Sequence, residues 1–205
     1  RTAHLKLYDF CNDTLSAEYL AAVKDRLYCD KADSPRRRQT QTALWDLADT
    51  VCKLMAPLLP HTADEAWRSL VKAAADDPRT VHLQTFPGTI RVHADPRWAE
   101  VFEAKALAKV ALDRAKAELG VENPLDAGLV LPDPSGDLSH FDLVDLADLM
   151  SVSEVTLAKD ATEVKVVDLR ERPRCERSRK RDGTVKQRSD GGMLSDRDAA
   201  AAGVH

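Results

Sequence analysis

Leu54-Met55-Ala56-Pro57-Leu58-Leu59-Pro60-His61-Thr62-Ala63-Asp64-Glu65-Ala66-Trp67 is the stretch that decides the fold. Two prolines three residues apart do not both fit inside a helix, because each removes a backbone donor and clashes with the preceding turn. Upstream, Leu44, Leu47, Val51, Leu54, Met55 and Leu58 carry one apolar face. The helix they predict starts at Asp33-Ser34-Pro35, with Ser34 as N-cap and Pro35 at the first position, and stops at Pro57 and Pro60. Downstream, Thr62-Ala63-Asp64-Glu65 has the form of a capping box opening a helix through Trp67, Leu70 and Val71. Towards the N-terminus, Leu15, Tyr19, Leu20, Val23 and Leu27 recur at spacings of three and four, predicting a helix over residues 13–30 capped by Asn12 or Asp13. Three helices with short connections predict an antiparallel bundle over residues 1–75.

Beyond the bundle, Asp76-Asp77-Pro78 and Phe86-Pro87-Gly88 punctuate a connector over 76–95. Asp95-Pro96 is expected to cap a fourth helix through Trp98, Val101, Phe102, Leu107, Val110 and Leu112, with Gly120 as its stop. Short strands are predicted at 128–131, 152–157 and 163–167, with a brief helix over 141–150 between the first two. Residues 96–167 therefore read as a helix plus a small α+β unit. The last segment, 168–205, changes character: between Arg170 and Arg188 there are nine Lys/Arg against three Asp/Glu and hardly any large apolar residues. Such a tail buries little area, which calls for a metal, a partner or disorder.

The 205 residues suit one domain or two small ones, and 43% hydrophobic residues suffice for a core. No run approaches 18 apolar residues, and the N-terminus lacks the order of a signal peptide. Cys11, Cys29, Cys52 and Cys175 are scattered, which fits reduced thiols in a cytosolic chain. The chain opens on Arg1 without methionine, so either its start has been processed or it is the tail of a longer polypeptide. A net charge of −4 argues against a nucleic-acid binder only until the chain is divided. Residues 1–167 hold 20 Lys/Arg and 27 Asp/Glu, whereas 168–205 hold 10 and 7. The average hides a basic footprint.

No catalytic set stands out: there is no glycine-rich phosphate loop, no nucleophile elbow and no helical histidine pair at zinc spacing. His61 reads as a polar residue near a helix start. Trp45, Trp67 and Trp98 sit in apolar helical patterns and are expected in the core. The basic elements say more. Lys24 and Arg26 end one predicted helix, and Arg36-Arg37-Arg38 occupy the first turn of the next, where cations oppose the macrodipole at about 0.3–1 kcal/mol each. Phosphate binding would explain that placement; a solvated charge run countered by Asp25, Asp30 and Asp33 is the alternative.

Tyr8-Asp9-Phe10-Cys11, Lys24-Asp25-Arg26-Leu27-Tyr28-Cys29-Asp30, Asp33-Ser34-Pro35-Arg36-Arg37-Arg38 and the Leu54–Trp67 run together closely resemble the C-terminal region of bacterial-type isoleucyl-tRNA synthetases. The Ala56-Pro57-Leu58-Leu59-Pro60 element is shared with valyl and leucyl enzymes, whereas the Lys24–Tyr28 and Ser34–Arg38 pair is particular to the isoleucine family. Val81-His82-Leu83-Gln84-Thr85-Phe86-Pro87 resembles that family's exit from the bundle. The resemblance implies a mainly α, anticodon-binding-type antiparallel bundle, then a small α+β unit and a degenerate zinc-knuckle-like tail. It also implies isoleucine tRNA as partner, catalytic and editing domains in the same polypeptide that use ATP and magnesium, and a cytoplasmic location. The family's His-Ile-Gly-His and Lys-Met-Ser-Lys-Ser signatures occur nowhere in this chain. The tRNA-binding set expected on this basis is Lys24, Arg26, Arg36, Arg37, Arg38, Arg177, Arg179, Lys180, Arg181, Lys186 and Arg188.

Many family members end in two Cys-x-x-Cys pairs that hold zinc. Here Cys175 keeps one thiol, Ser178, Ser195 and Asp198 replace the others, and Arg179 stands at the family's tryptophan position. Four good ligands are not present, so zinc is not expected; the knuckle is expected to persist as a metal-free loop or to stay loosely ordered until tRNA binds. The alternatives to an enzyme fragment are a free-standing RNA-binding or regulatory module derived from a synthetase, and a helical protein-interaction domain.

Overall fold

The computed structural model describes residues 2–74, 76–89 and 93–205. Arg1, Ala75 and the 90–92 part of the expected connector lie outside the described residues. The chain runs through α1 (Thr2–Asp9), a wider π-type stretch (Phe10–Leu20), α2 (Ala21–Cys29), α3 (Pro35–Met55), α4 (Pro60–Leu70), a 3₁₀ turn (Val81–Leu83) and α5 (Trp98–Leu119). It continues with β1 (Ala127–Pro132), α6 (Leu143–Met150), β2 (Glu154–Ala158), β3 (Lys165–Asp168), β4 (Lys186–Gln187), β5 (Met193–Leu194) and α7 (Asp196–Ala202). It is mainly α with a small sheet. Contacts divide it into two units, residues 1–7 with 33–93 and residues 8–32 with 94–205. The grouping differs from the sequential one expected: residues 8–32 cluster with the C-terminal part and not with α3 and α4.

In the first unit the two prolines act as predicted. α3 has Ser34 as N-cap with Pro35 in its first turn, and ends at Met55; α4 has Pro60 in its own first turn. The expected capping box does not form, because α4 starts two residues before Thr62 with Leu59 as N-cap. Asp64 is used elsewhere. Its Oδ1 accepts from Thr80 Oγ1 (2.6 Å) and from the Val81 amide (2.9 Å), and its Oδ2 accepts from Arg68 Nε (2.7 Å). These bonds pin the 3₁₀ turn to α4. Ala56, Ala63, Trp67 and Val81 form the core between α3, α4 and that turn. Trp67 is buried as expected, and its Nε1 donates to Asp49 Oδ1 (2.9 Å). Trp45 is 48% exposed, contrary to expectation. A period-3.6 pattern marks a face of the helix without saying how wide the covered stripe is.

The second unit is built round β1, the central strand in the order β2-β1-β3, parallel to β2 and antiparallel to β3. Register places Leu129 opposite Val155 and Val166. A parallel pair needs a crossover, which α6 supplies. Asp142 caps α6 by accepting from the Val144 (2.8 Å) and Asp145 (3.1 Å) amides. On α5, Val101, Ala104 and Ala108 pack on Leu129 and Leu131 of β1 and on Leu146, Ala147 and Met150 of α6. Small residues there let the helix approach the sheet closely. Gly120 ends α5 at φ +67°, a left-handed turn that a side chain would strain. Trp98 is 41% exposed, not core, and stacks edge-on against Phe141 at 4.9 Å. Asn12 and Asp13, expected as caps, lie inside the π-type stretch, since helix already begins at Thr2. Wider turns let the chain continue past residues that favour caps.

The tail carries a small core of its own, which its composition did not predict. β4 and β5 pair antiparallel, and Cys175, Val185, Leu194 and Ala199 form a small core with Met193 and Val204 against it. Its arginines reach backbone carbonyls: Arg188 Nε donates to Leu194 O (2.9 Å), and Arg181 Nη1 donates to Arg170 O (3.2 Å) and Arg172 O.

Candidate nucleic-acid interface

The helix α2 places Lys24 and Tyr28 one turn apart, so both project from one face. Lys24 is exposed, and Tyr28 is 77% exposed. Arg177 donates from Nη2 to the Tyr28 carbonyl (2.8 Å), which brings the tail to the end of this helix. Lys24, Tyr28, Arg177 and Ser178 share the lining of an open cleft of about 340 Å³ with Asp25, Asn123, Leu125 and Asp148. Two exposed cations and a solvent-facing ring give this cleft what an unpaired nucleotide needs: a phosphate partner and a stacking surface. Tyr28 escaped sequence reasoning. Its spacing from Lys24 was the available signal, but exposure was not readable from the pattern.

The eleven expected cations divide sharply. Exposed are Lys24, Arg177, Arg179 and Lys186 in the second unit and Arg38 in the first. Arg179 holds φ +65° and donates its amide to Cys175 O (3.0 Å), closing the turn after Ser178. Lys186 lies 3.6 Å from Asp196, at the exposed edge of the hairpin. Arg38 leans on Gln41 (3.4 Å). Arg36 and Arg37 are half-buried, each engaged within the protein. Lys24 and Arg26 were expected beside Arg36–Arg38 at one end of a bundle; the two sets belong to different units.

Four of the eleven are internal instead. Lys180 is buried, with Nζ 2.5 Å from Asp148 and 3.6 Å from Asp25. Arg26 pairs with Asp145 (2.9 Å) and stands 3.7 Å from Asp148. Arg181 Nε donates to Asp126 (2.7 Å), and Arg188 Nη2 to Asp196 (2.7 Å). The sequence shows the charge of these side chains but not their long-range carboxylate partners. Arg197, which sequence reasoning did not single out, reaches Asp25 (2.5 Å), Asp30 (3.4 Å) and Asp198 (3.2 Å). Burial pushes the Asp25 carboxyl up. The hydrogen bond from Arg197 and the charges of Lys180 and Arg197 outweigh it, leaving Asp25 below the ordinary carboxylate value. Burial also pushes the nearby Cys29 thiol up, to about 12, with Asp25 and Asp198 adding to the shift.

The residues at the zinc-knuckle positions do not fit a zinc ion. Cys175 Sγ donates to Asp198 Oδ2 (2.9 Å), so both groups are already committed to each other. The other oxygen of Asp198 takes Arg197, whose positive charge opposes a dication. Ser195 Oγ accepts from the Asp198 amide (3.2 Å) as the N-cap of α7, and Ser178 Oγ is buried without a hydrogen-bond partner. Among the described residues, no group of three or more His, Cys, Asp or Glu is placed to hold a metal. No described helix is long and apolar enough to cross a membrane.

The chain is mainly helical, with exposed Lys24 and Arg177 beside an open cleft that Tyr28 also lines. Residues 1–131 match the anticodon-binding domain of tRNA ligases, and the chain belongs to that family. It is similar to the isoleucine–tRNA ligase of Streptococcus agalactiae, 31% identical over 94% of this chain and 22% of that protein. The isoleucine–tRNA ligases of Brachyspira hyodysenteriae (32% identical, 77% of this chain, 18% of that protein) and Bordetella pertussis (33%, 78% and 18%) are also similar. The chain spans about a fifth of the length of these curated relatives.

Proposed function

We propose that this chain is the part of an isoleucine–tRNA ligase that holds the anticodon stem and loop of isoleucine tRNA. In this reading, catalytic and editing domains of the same polypeptide attach isoleucine with ATP, in the cytoplasm, and the present chain carries no active site of its own. The observation that carries it is the Lys24–Tyr28–Arg177 cleft in a chain of the anticodon-binding family. Exposed cations would position the RNA through phosphates, while unstacked bases enter the cleft and are distinguished there. Arg38 would add a phosphate contact from the first unit. Buried Lys180 and Arg188, with half-buried, ion-paired Arg26 and Arg181, would shape the surface without touching RNA.

Binding of isoleucine tRNA and of a non-cognate tRNA, measured across a salt series, tests this. Cognate preference with a steep salt dependence is the expected result. Lys24→Ala and Arg177→Ala should each lower the slope of log K against log salt by roughly 0.7–0.9. Equal, weak binding to any polyanion, or variants that bind like the native chain, would refute the reading.

A further inference from the structure

We propose that the tail closes as a metal-free knuckle, in which the hydrogen bond from the Cys175 thiol to Asp198 takes the bridging place of a metal and Arg197 ties that closure to the end of α2. Three of the four knuckle positions are sealed or committed. Cys175, Ser195 and Asp198 are wholly buried, and each of them is engaged within the tail. One backbone bond joins the two halves, from the Glu176 amide to Met193 O (2.8 Å), while the Cys175 amide closes the first half on Lys180 O (2.8 Å). A structural metal does two jobs, cross-linking the halves of a small loop and neutralising ligand charge. Here the Cys175–Asp198 contact crosses from the first half to the second. Arg197 neutralises Asp198 while holding Asp25 and Asp30. The small core of Val185, Leu194 and Ala199 supplies the rest. Arg197 and Asp198 are therefore positioning residues. They fix the turn that presents Arg177 and Arg179, and ion pairing to α2 performs what thiolates and a metal would otherwise do.

Zinc content and stability are read without RNA, so the outcome is separate from the tRNA-binding test. The whole chain, passed through zinc-containing buffer and then gel-filtered, is expected to keep no stoichiometric zinc and to melt at the same temperature with and without EDTA. The triple variant Ser178→Cys, Ser195→Cys, Asp198→Cys should instead retain about one zinc per chain and melt lower in EDTA, because it restores four thiolates at the pairwise spacing zinc takes. Hydrogen exchange on Arg197→Gln should show amide protection over 175–199 falling at least about tenfold, with α3 and α4 unchanged. One tightly held zinc in the native chain, a chelator-sensitive melt, or unchanged protection in Arg197→Gln would each overturn the proposal.

Discussion

Asp64 and Lys180 show how single side chains set the local order. Hydrogen bonds from Thr80 and Arg68, with the Val81 amide, hold the Asp64 carboxyl well below the usual carboxylate range. A depressed folded value means that its contribution is complete above the unfolded value of about 3.9 and is lost as pH falls below it. The melting temperature of Asp64→Asn should therefore lie below that of the native chain at pH 7, and the gap should narrow as the pH is taken below about 4. Lys180 is a different case, because both it and Asp148 are buried. Lys180→Met removes the cation 2.5 Å from buried Asp148, and should cost about 3 kcal/mol in denaturant unfolding of the second unit. A loss under 1 kcal/mol, in contrast, would mean that solvent reaches the pair. Cys29 offers a chemical readout. With its thiol at about 12, it should react with a thiol reagent at pH 8 more than about a hundredfold slower than an ordinary cysteine.

At the scale of elements, local chemistry and tertiary contact contribute unequally. The α3–α4 break, the Gly120 stop, the three strands and α6 were all legible, because proline, left-handed glycine and short β-branched runs act within a few residues. The start of α4 was not. Thr62 to Glu65 has the letters of a capping box, but Pro60 already supplies a helical φ at the first position. Asp64 is then free to reach Thr80 and Val81, sixteen and seventeen residues on. Trp67 anchors the same junction, and Trp67→Ala should cost about 3–5 kcal/mol of first-unit stability by opening a cavity and removing the indole donor to Asp49 Oδ1. On α6 the cap is local and its loss smaller: Asp142→Ala should lower second-unit stability by about 1 kcal/mol, measured by the same denaturation.

Over the whole molecule, the family, the mainly helical class and the basic character of the tail followed from residue order, because motif spacing and charge are properties of the chain itself. Which cations face solvent did not. Nine Lys/Arg between 170 and 188 look equivalent in the sequence, yet Lys180 and Arg188 are buried on Asp148 and Asp196 while Arg177 and Arg179 are exposed. Lys180 and Asp148 are 32 residues apart, and Arg197 and Asp25 are 172. No periodicity reports such pairs, since they exist only after α2, α6 and the tail have packed. Desolvation then makes the pairing obligatory, because a buried cation without its carboxylate is too costly to keep. The missing cysteines were visible in the sequence alone. That Cys175 and Asp198 meet in their place, with Arg197 alongside, was decided by the tertiary structure, which brings both halves of the tail together round a small apolar core.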